Sequence, residues 1–311
     1  MKTAVKRKIV IIGGPTASGK TGLAIGVAER FSGEIISADS MQIYKRLDIG
    51  TAKPTAQEQA AARHHLIDIS EPWENYSVAQ YVKDANAAIE KVIASKKLPV
   101  ICGGTGLYIE ALIHPTDYSE KADVDTELRN RLSALDCHTL WQRLSEVDPD
   151  AAAAIHENNK KRVVRALEIY MTTGKTKTQT DKEQKSRESA YDILLLLTGF
   201  GDRRLLYDRI DRRVDLMIEQ GLVEETRRAL SSGDLRPETT AYQAIGYKEL
   251  FPYLDGTDTL ENCVARLKQA SRNYAKRQLT WFSRCDGVRV TDPEQAYAAV
   301  SDFLKGAEGD G

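Results

Sequence analysis

Cysteine is scarce and scattered: the 311-residue chain holds four, Cys102, Cys137, Cys263 and Cys285, with no CxxC pair. That spacing speaks against a zinc site and a disulfide framework, and it points to a reducing, cytoplasmic setting. Long apolar runs are missing as well. None approaches the roughly 20 residues that span a bilayer, so no membrane partner is expected. Met1–Lys8 is basic, but the apolar stretch after it has only a strand's length, so a signal peptide is not expected either. Nor is there a surplus of charge of one sign. With 44 Lys and Arg against 45 Asp and Glu, the formal net charge is −1, and any nucleic-acid surface must be local. No internal repeat occurs. A hydrophobic fraction of 41% beside 29% charged residues is ordinary for a soluble globular protein, and the length allows one large domain or two smaller ones.

What is present begins with Gly14-Pro15-Thr16-Ala17-Ser18-Gly19-Lys20-Thr21, directly after the apolar run Ile9–Ile12. This is GxxxxGKT between a buried strand and a helical pattern, a cradle for two linked phosphates. Loop amides and the helix N-terminus face the anion, Lys20 adds a point charge, and the Thr21 hydroxyl can join Mg²⁺. The motif specifies a site rather than a reaction, since kinases, GTPases, ATPases and some group transferases share it.

The first hundred residues alternate strand and helix: Ile9–Ile12, a helix to about Phe31, a strand Glu34–Asp39, a helix from Val78 to Ser95, and a strand Leu98–Cys102. Alternation implies an α/β fold, a P-loop NTPase-like core whose parallel sheet is flanked by helices. Ligands bind such sheets at the carboxyl ends of the strands, which places Lys20, Asp39 and Thr105 on one rim. From about residue 117 the pattern turns helical (127–135, 140–147, 163–170), and the apolar run Ile193–Leu197 returns to the sheet. The expected organisation is a core of residues 1–116 and 191–311 with a helical insertion over 117–190. Helices then follow at 205–220, 223–231 and 259–283, and Gly306–Gly311 is expected to fray.

Asp39 in Asp39-Ser40-Met41-Gln42 can hold Mg²⁺ through water or act as a general base, or it can cap a following helix. Thr105 in Gly103-Gly104-Thr105-Gly106 can bond a phosphate oxygen or serve as an N-cap. Two basic clusters stand out. One joins Lys160, Lys161, Arg162 and Arg165 to Lys175 and Lys177 across a Thr-rich turn. The other runs from Arg266 to Arg284 without an acid and is interleaved with Tyr274, Trp281 and Phe282. Cations with aromatics suit RNA, although a solvated helix face explains either cluster alone. His64-His65 lacks the spacing of a metal site, and Trp73 and Tyr76 read as packing residues.

Together these segments resemble the tRNA dimethylallyltransferase (isopentenyltransferase) family over nearly the whole chain. The matching blocks are Gly14–Thr21, Asp39–Tyr44, Asp48–Pro54, Gly103–Tyr108, Lys161–Glu168, Ala244–Lys248 and Lys276–Trp281. The resemblance implies transfer of a dimethylallyl group from its diphosphate to N6 of the adenosine immediately 3′ of the anticodon, position 37 of tRNA. The P-loop then holds the diphosphate of the prenyl donor. Lys20, the loop amides and Mg²⁺ at Thr21 would stabilise the departing diphosphate, Asp39 would be the general base, and Thr105 would bond a diphosphate oxygen or the flipped nucleotide.

By the same resemblance the anticodon stem-loop of tRNA is the partner, and a monomer is expected. Its contacts would be Asp39, Ser40, Met41, Gln42, Thr105 and Arg129, then Lys161, Arg162, Val163, Val164 and Arg165. Further contacts would be Gln243, Ala244, Ile245, Gly246, Tyr247 and Lys248, then Lys276, Arg277, Gln278, Leu279, Thr280, Trp281, Phe282 and Ser283. The link between Tyr108 and Asp125 departs from the family's Pro-containing pattern. No zinc finger follows the core, unlike the eukaryotic branch of the family, so the resemblance implies a bacterial-type member. The competing readings are an adenylate isopentenyltransferase acting on a free nucleotide, a small-molecule kinase, and a non-catalytic RNA-binding P-loop protein.

Overall fold

Ile9–Ile12 is wholly buried, as a strand covered on both faces must be, and it forms the centre of the sheet. The computed structural model describes residues 6–115 and 126–306. Its elements begin β1 (Arg7–Gly13), α1 (Lys20–Arg30), β2 (Gly33–Ser37), α2 (Ala56–Ala61), β3 (His64–His65), α3 (Val78–Ala94), β4 (Leu98–Gly103) and α4 (Gly106–Ile113). A helical stretch follows: α5 (Thr126–Ala134), α6 (Cys137–Val147), α7 (Pro149–Ala154), α8 (Lys160–Thr173) and α9 (Lys177–Ser186). The chain closes with β5 (Tyr191–Leu197), α10 (Arg203–Glu219), α11 (Leu222–Ser231), α12 (Phe251–Leu254), α13 (Leu260–Phe282), β6 (Val288–Arg289) and α14 (Pro293–Lys305).

The strands order as β3-β2-β4-β1-β5-β6, and every pairing is parallel. Val10, Ile12, Val100 and Leu196 meet Leu23, Ala24 and Val27 of α1 and Ala296 and Val300 of α14 in one apolar cluster, while α3 packs on β2 and β4. Because all strands point one way, the segments after β1, β2, β4 and β5 emerge along one edge. One close approach fixes that edge. A Cβ on Gly103 would stand far inside van der Waals contact with the backbone of Ala38, the residue just after β2. Backbone cannot swing aside as a side chain can. Gly103→Ala is therefore expected to cost about 2–3 kcal/mol, read as a lower midpoint in urea unfolding.

Two compact units divide the chain, Met1–Leu112 with Ala190–Gly311, and Ile113–Ser189. The second has its own core, in which Leu128 and Leu132 of α5 meet Leu140 and Leu144 of α6 and Val163, Val164 and Leu167 of α8. The start expected for the insertion, residue 117, and the tail after Gly306 lie outside the described residues.

Several sequence expectations are corrected. The second strand stops at Ser37, so Asp39 lies beyond it. The Thr-rich turn opens α9, where Thr176 and Gln179 form a capping box. That helix carries no apolar stripe for periodicity to detect. The two-residue strands β3 and β6 escaped notice because they are too short to show alternation. His64 and His65 form β3. His64 Nδ1 bonds the Ala62 carbonyl at 2.7 Å and His65 Nε2 bonds Glu34 at 2.6 Å. Among the described residues no cluster of His, Cys, Asp and Glu could hold a metal unaided, no helix is long and apolar enough to cross a membrane, and the four cysteines are free.

Candidate active site

The loop Gly14–Gly19 carries the strand-to-helix turn. Gly19 takes a left-handed conformation (φ 87°) just before α1, and no side chain caps that helix. The first amides of α1 are thus left open to an anion. The loop is braced from three directions. Ser18 Oγ meets Thr198 Oγ1, just after β5, at 2.7 Å. Arg213 of α10 donates to Thr16 Oγ1 at 3.2 Å. Gln278 of α13 accepts from Thr16 N at 2.8 Å and donates to the Gly104 carbonyl at 2.9 Å.

These groups border a cavity of about 330 Å³ lined by Thr16, Lys20, Thr21, Asp39, Arg213 and Gln278, among others. Lys20 Nζ donates to the Pro15 carbonyl at 2.6 Å. Burial is the main cause that lowers its pKa to about 8, with neighbouring Arg213 acting in the same direction and Cys102 and, less, Asp39 opposing it. Burial likewise holds the Arg213 guanidinium below its ordinary value, against the pull of Asp39. Two desolvated cations facing a cavity are poised for a multiply charged anion. Cys102 also lines it, but burial pushes its thiol up to about 11. It is therefore a neutral wall and not a nucleophile.

Asp39 serves its own turn and the cavity at once. Its Oδ1 accepts from Met41 N at 2.9 Å and Gln42 N at 3.4 Å, a local turn with no following helix. Thr105, immediately before α4, accepts through its hydroxyl from Ser40 N at 3.0 Å. It thereby fixes the residue next to Asp39. Lys20, Asp39, Ser40, Met41 and Gln42 share the cavity wall, joined by Gln243, Ile245, Gly246, Lys248, Arg277 and Gln278.

The remaining expected contacts divide by exposure. Lys161, Arg162, Arg165, Gln243, Lys276, Arg277, Thr280 and Ser283 are exposed, and Ile245, Lys248, Leu279 and Trp281 are partly so. Val163, Val164, Ala244, Gly246, Tyr247, Gln278 and Phe282 are buried. Their blocks contain them because helices and turns need an inward face, and of these Gly246 and Gln278 line the cavity. In the insertion unit Arg129 and Arg165 converge on the buried Glu168. Arg129 makes a fork at 2.5 and 2.8 Å, and Arg165 approaches at 3.2 Å. Sequence reading missed Arg213 and Thr198. Neither belongs to a recognised block, and each reaches the loop from more than 150 residues away in the chain.

The family described as IPP transferase matches residues 42–285. The tRNA dimethylallyltransferase of Anoxybacillus flavithermus is 49% identical over 305 residues, covering 97% of this chain and 96% of that one. That of Halalkalibacterium halodurans is 47% identical over 281 residues, 89% of this chain and 88% of its own. Among solved structures, the full-length tRNA isopentenylpyrophosphate transferase of Bacillus halodurans superposes with a TM-score of 0.69 at 42% identity, covering 97% of this chain and 96% of that one. A eukaryotic dimethylallyltransferase acting on tRNA gives 0.80 at 32% identity, covering 98% of this chain and 79% of that one.

Proposed function

This chain belongs to the IPP transferase family, and from that premise we propose that it moves a dimethylallyl group from dimethylallyl diphosphate to N6 of the adenosine 3′ to the anticodon of tRNA. The observation that carries the reading is one cavity in which Lys20, Arg213 and open loop amides face the Asp39 carboxylate. The cationic side holds the diphosphate. As the adenine nitrogen bonds the allylic carbon, the C–O bond breaks and its electron pair leaves with the diphosphate. Lys20, Arg213 and the amides of α1 stabilise that developing charge. Asp39 accepts the proton released from N6, and Thr105, through Ser40, keeps its turn in place.

Thr21 and Asp39 bring hard oxygen donors to the same cavity. That set suits Mg²⁺, which takes one or two protein oxygens and completes its shell with phosphate and water. When bound there, the ion would neutralise charge on the diphosphate. Its four free thiols fit a cytosolic enzyme.

The test is incubation with labelled dimethylallyl diphosphate, Mg²⁺ and either unmodified tRNA or AMP, followed by nucleoside mass analysis. Prenylated tRNA supports the reading, and prenylated AMP alone overturns it. The acceptor side has its own prediction. Lys276 and Arg277 are exposed on α13, and the Arg277 guanidinium lies 5.5 Å from the centre of the Tyr274 ring. Replacing both with Ala should weaken tRNA binding about tenfold and flatten its log–log salt slope by about 1–2. Filter binding across a salt series measures both. Loss of donor affinity alone would remove α13 from the RNA face.

A further inference from the structure

Two blocks of the chain, Asp48–Pro54 and Ala244–Lys248, supply no reacting group, yet residues of both line the cavity. Glu225 on α11 ties them together. It is 6% exposed, and the donors that satisfy its carboxylate there are neutral. Asp48 N gives to Oε2 and Gly50 N to Oε1, each at 3.0 Å, and Ile49 N reaches both oxygens at 3.0 Å. The Tyr247 hydroxyl donates to Oε1 at 2.7 Å. Three successive amides make an anion-binding nest, and here the chain fills it with its own carboxylate. The same contact presses the two blocks together. A Cβ on Gly50 would stand 2.5 Å from Tyr247 Cζ, and one on Gly246 (φ 117°) would stand 3.1 Å from the Gly50 carbonyl oxygen.

From this hub a short chain of bonds reaches the base. Gln42 Nε2 donates to the Ala52 carbonyl at 3.1 Å, and Gln42 Oε1 accepts from Ser37 Oγ at 3.1 Å. The amides of Met41 and Gln42 hold Asp39 Oδ1. The P-loop is braced separately, by Thr198, Arg213 and Gln278. One wall of the cavity therefore hangs on Glu225, and the diphosphate wall does not.

We propose that Glu225 is a positioning residue for prenyl transfer: by clamping residues 48–50 to Tyr247 it sets the acceptor wall and, through Gln42, the turn that carries Asp39. The proposal rests on the transferase reading above. Glu225→Gln keeps the size of the side chain but turns an amide NH₂ toward backbone donors, so at least one bond becomes a repulsion. A displacement of about 1 Å in reacting groups lowers rate about 100-fold.

The experiment measures kcat, KM for tRNA and the dissociation constant for inorganic diphosphate, with active enzyme counted by single-turnover amplitude. For Glu225→Gln the expected result is kcat per active enzyme down about 10- to 100-fold and a higher KM for tRNA. Affinity for inorganic diphosphate should stay within about twofold, because the braces of the P-loop are untouched. Tyr247→Phe removes one donor and leaves the amides, so its loss should be smaller and in the same parameters. Equal kcat and KM per active enzyme in Glu225→Gln would overturn the proposal, as would a parallel loss of diphosphate affinity. If Glu225→Gln fails to fold, Tyr247→Phe carries the test, and unchanged kcat and KM in it overturn the proposal. Absence of tRNA prenylation by the wild-type chain overturns the transferase reading, and this inference with it.

Discussion

Asp39→Asn is expected to slow prenyl transfer by about 10²- to 10⁴-fold, the range for removing a general base, while tRNA and diphosphate still bind. The substitution separates two duties of one side chain. Asp39 Oδ1 holds its own turn through Met41 N and Gln42 N, and an Asn side-chain oxygen can accept both bonds. Ser40 stays anchored by Thr105. What disappears is the anion that takes the proton from N6. Single-turnover rates with saturating tRNA and donor measure the chemical step, and filter binding checks the acceptor. A rate within threefold of wild type would show that some other group, or water, takes the proton.

Lys20→Met should reduce donor affinity and transfer together by about 10²- to 10³-fold, as for the loss of one preorganised electrostatic partner. The lysine also gives the binding step a pH signature. Burial lowers its pKa in the free protein to about 8 from the ordinary 10.5, so near pH 8 much of the free enzyme lacks this proton. A diphosphate beside Nζ favours the cation and raises the pKa again. Binding therefore takes up a proton around pH 8, and affinity falls as pH climbs above it. The sign for folding is opposite to that of a stabilising ion pair. Between about pH 8 and 10.5 the unfolded chain holds more protons at this site, so the penalty for burying Lys20 is full below pH 8 and fades as pH rises through the window. Calorimetry of inorganic diphosphate binding in buffers of different ionisation enthalpy reads the uptake directly. Lys20→Met should abolish it, and uptake that persists in that variant would assign the proton to another group.

Features that one short stretch of chain can encode were legible before the structure. The P-loop needs only a buried strand, a glycine turn and a helix start within about 20 residues, and Lys20 and Thr21 fall where that grammar puts them. Helix α3 could be placed because its apolar side, Tyr81, Ala85, Ala88, Ile89 and Val92, keeps a helical period. What stayed hidden is made by distance. Arg213 meets Thr16 across 197 positions, and Gln278 meets it across 262, and no local pattern announces such partners. The basic blocks were readable as composition but not as faces: Val163 and Val164 sit among cations yet fill the core of the insertion unit. Glu225 was invisible because its partners, apart from the Tyr247 hydroxyl, are backbone amides, which every sequence has.

The parallel register of β1 has a consequence for how the molecule is made. Arg7–Gly13 pairs along its whole length with Tyr191–Leu197, so one side of the central strand waits for a partner that the ribosome delivers some 180 residues later. The insertion unit, whose core is assembled from its own helices, can close during that wait. Gln278, which joins the phosphate loop to Gly104, arrives later still. A nascent chain thus carries its phosphate-binding signature for most of its synthesis without a finished chamber to use it. The chamber is complete only once α13, which supplies Gln278, has docked.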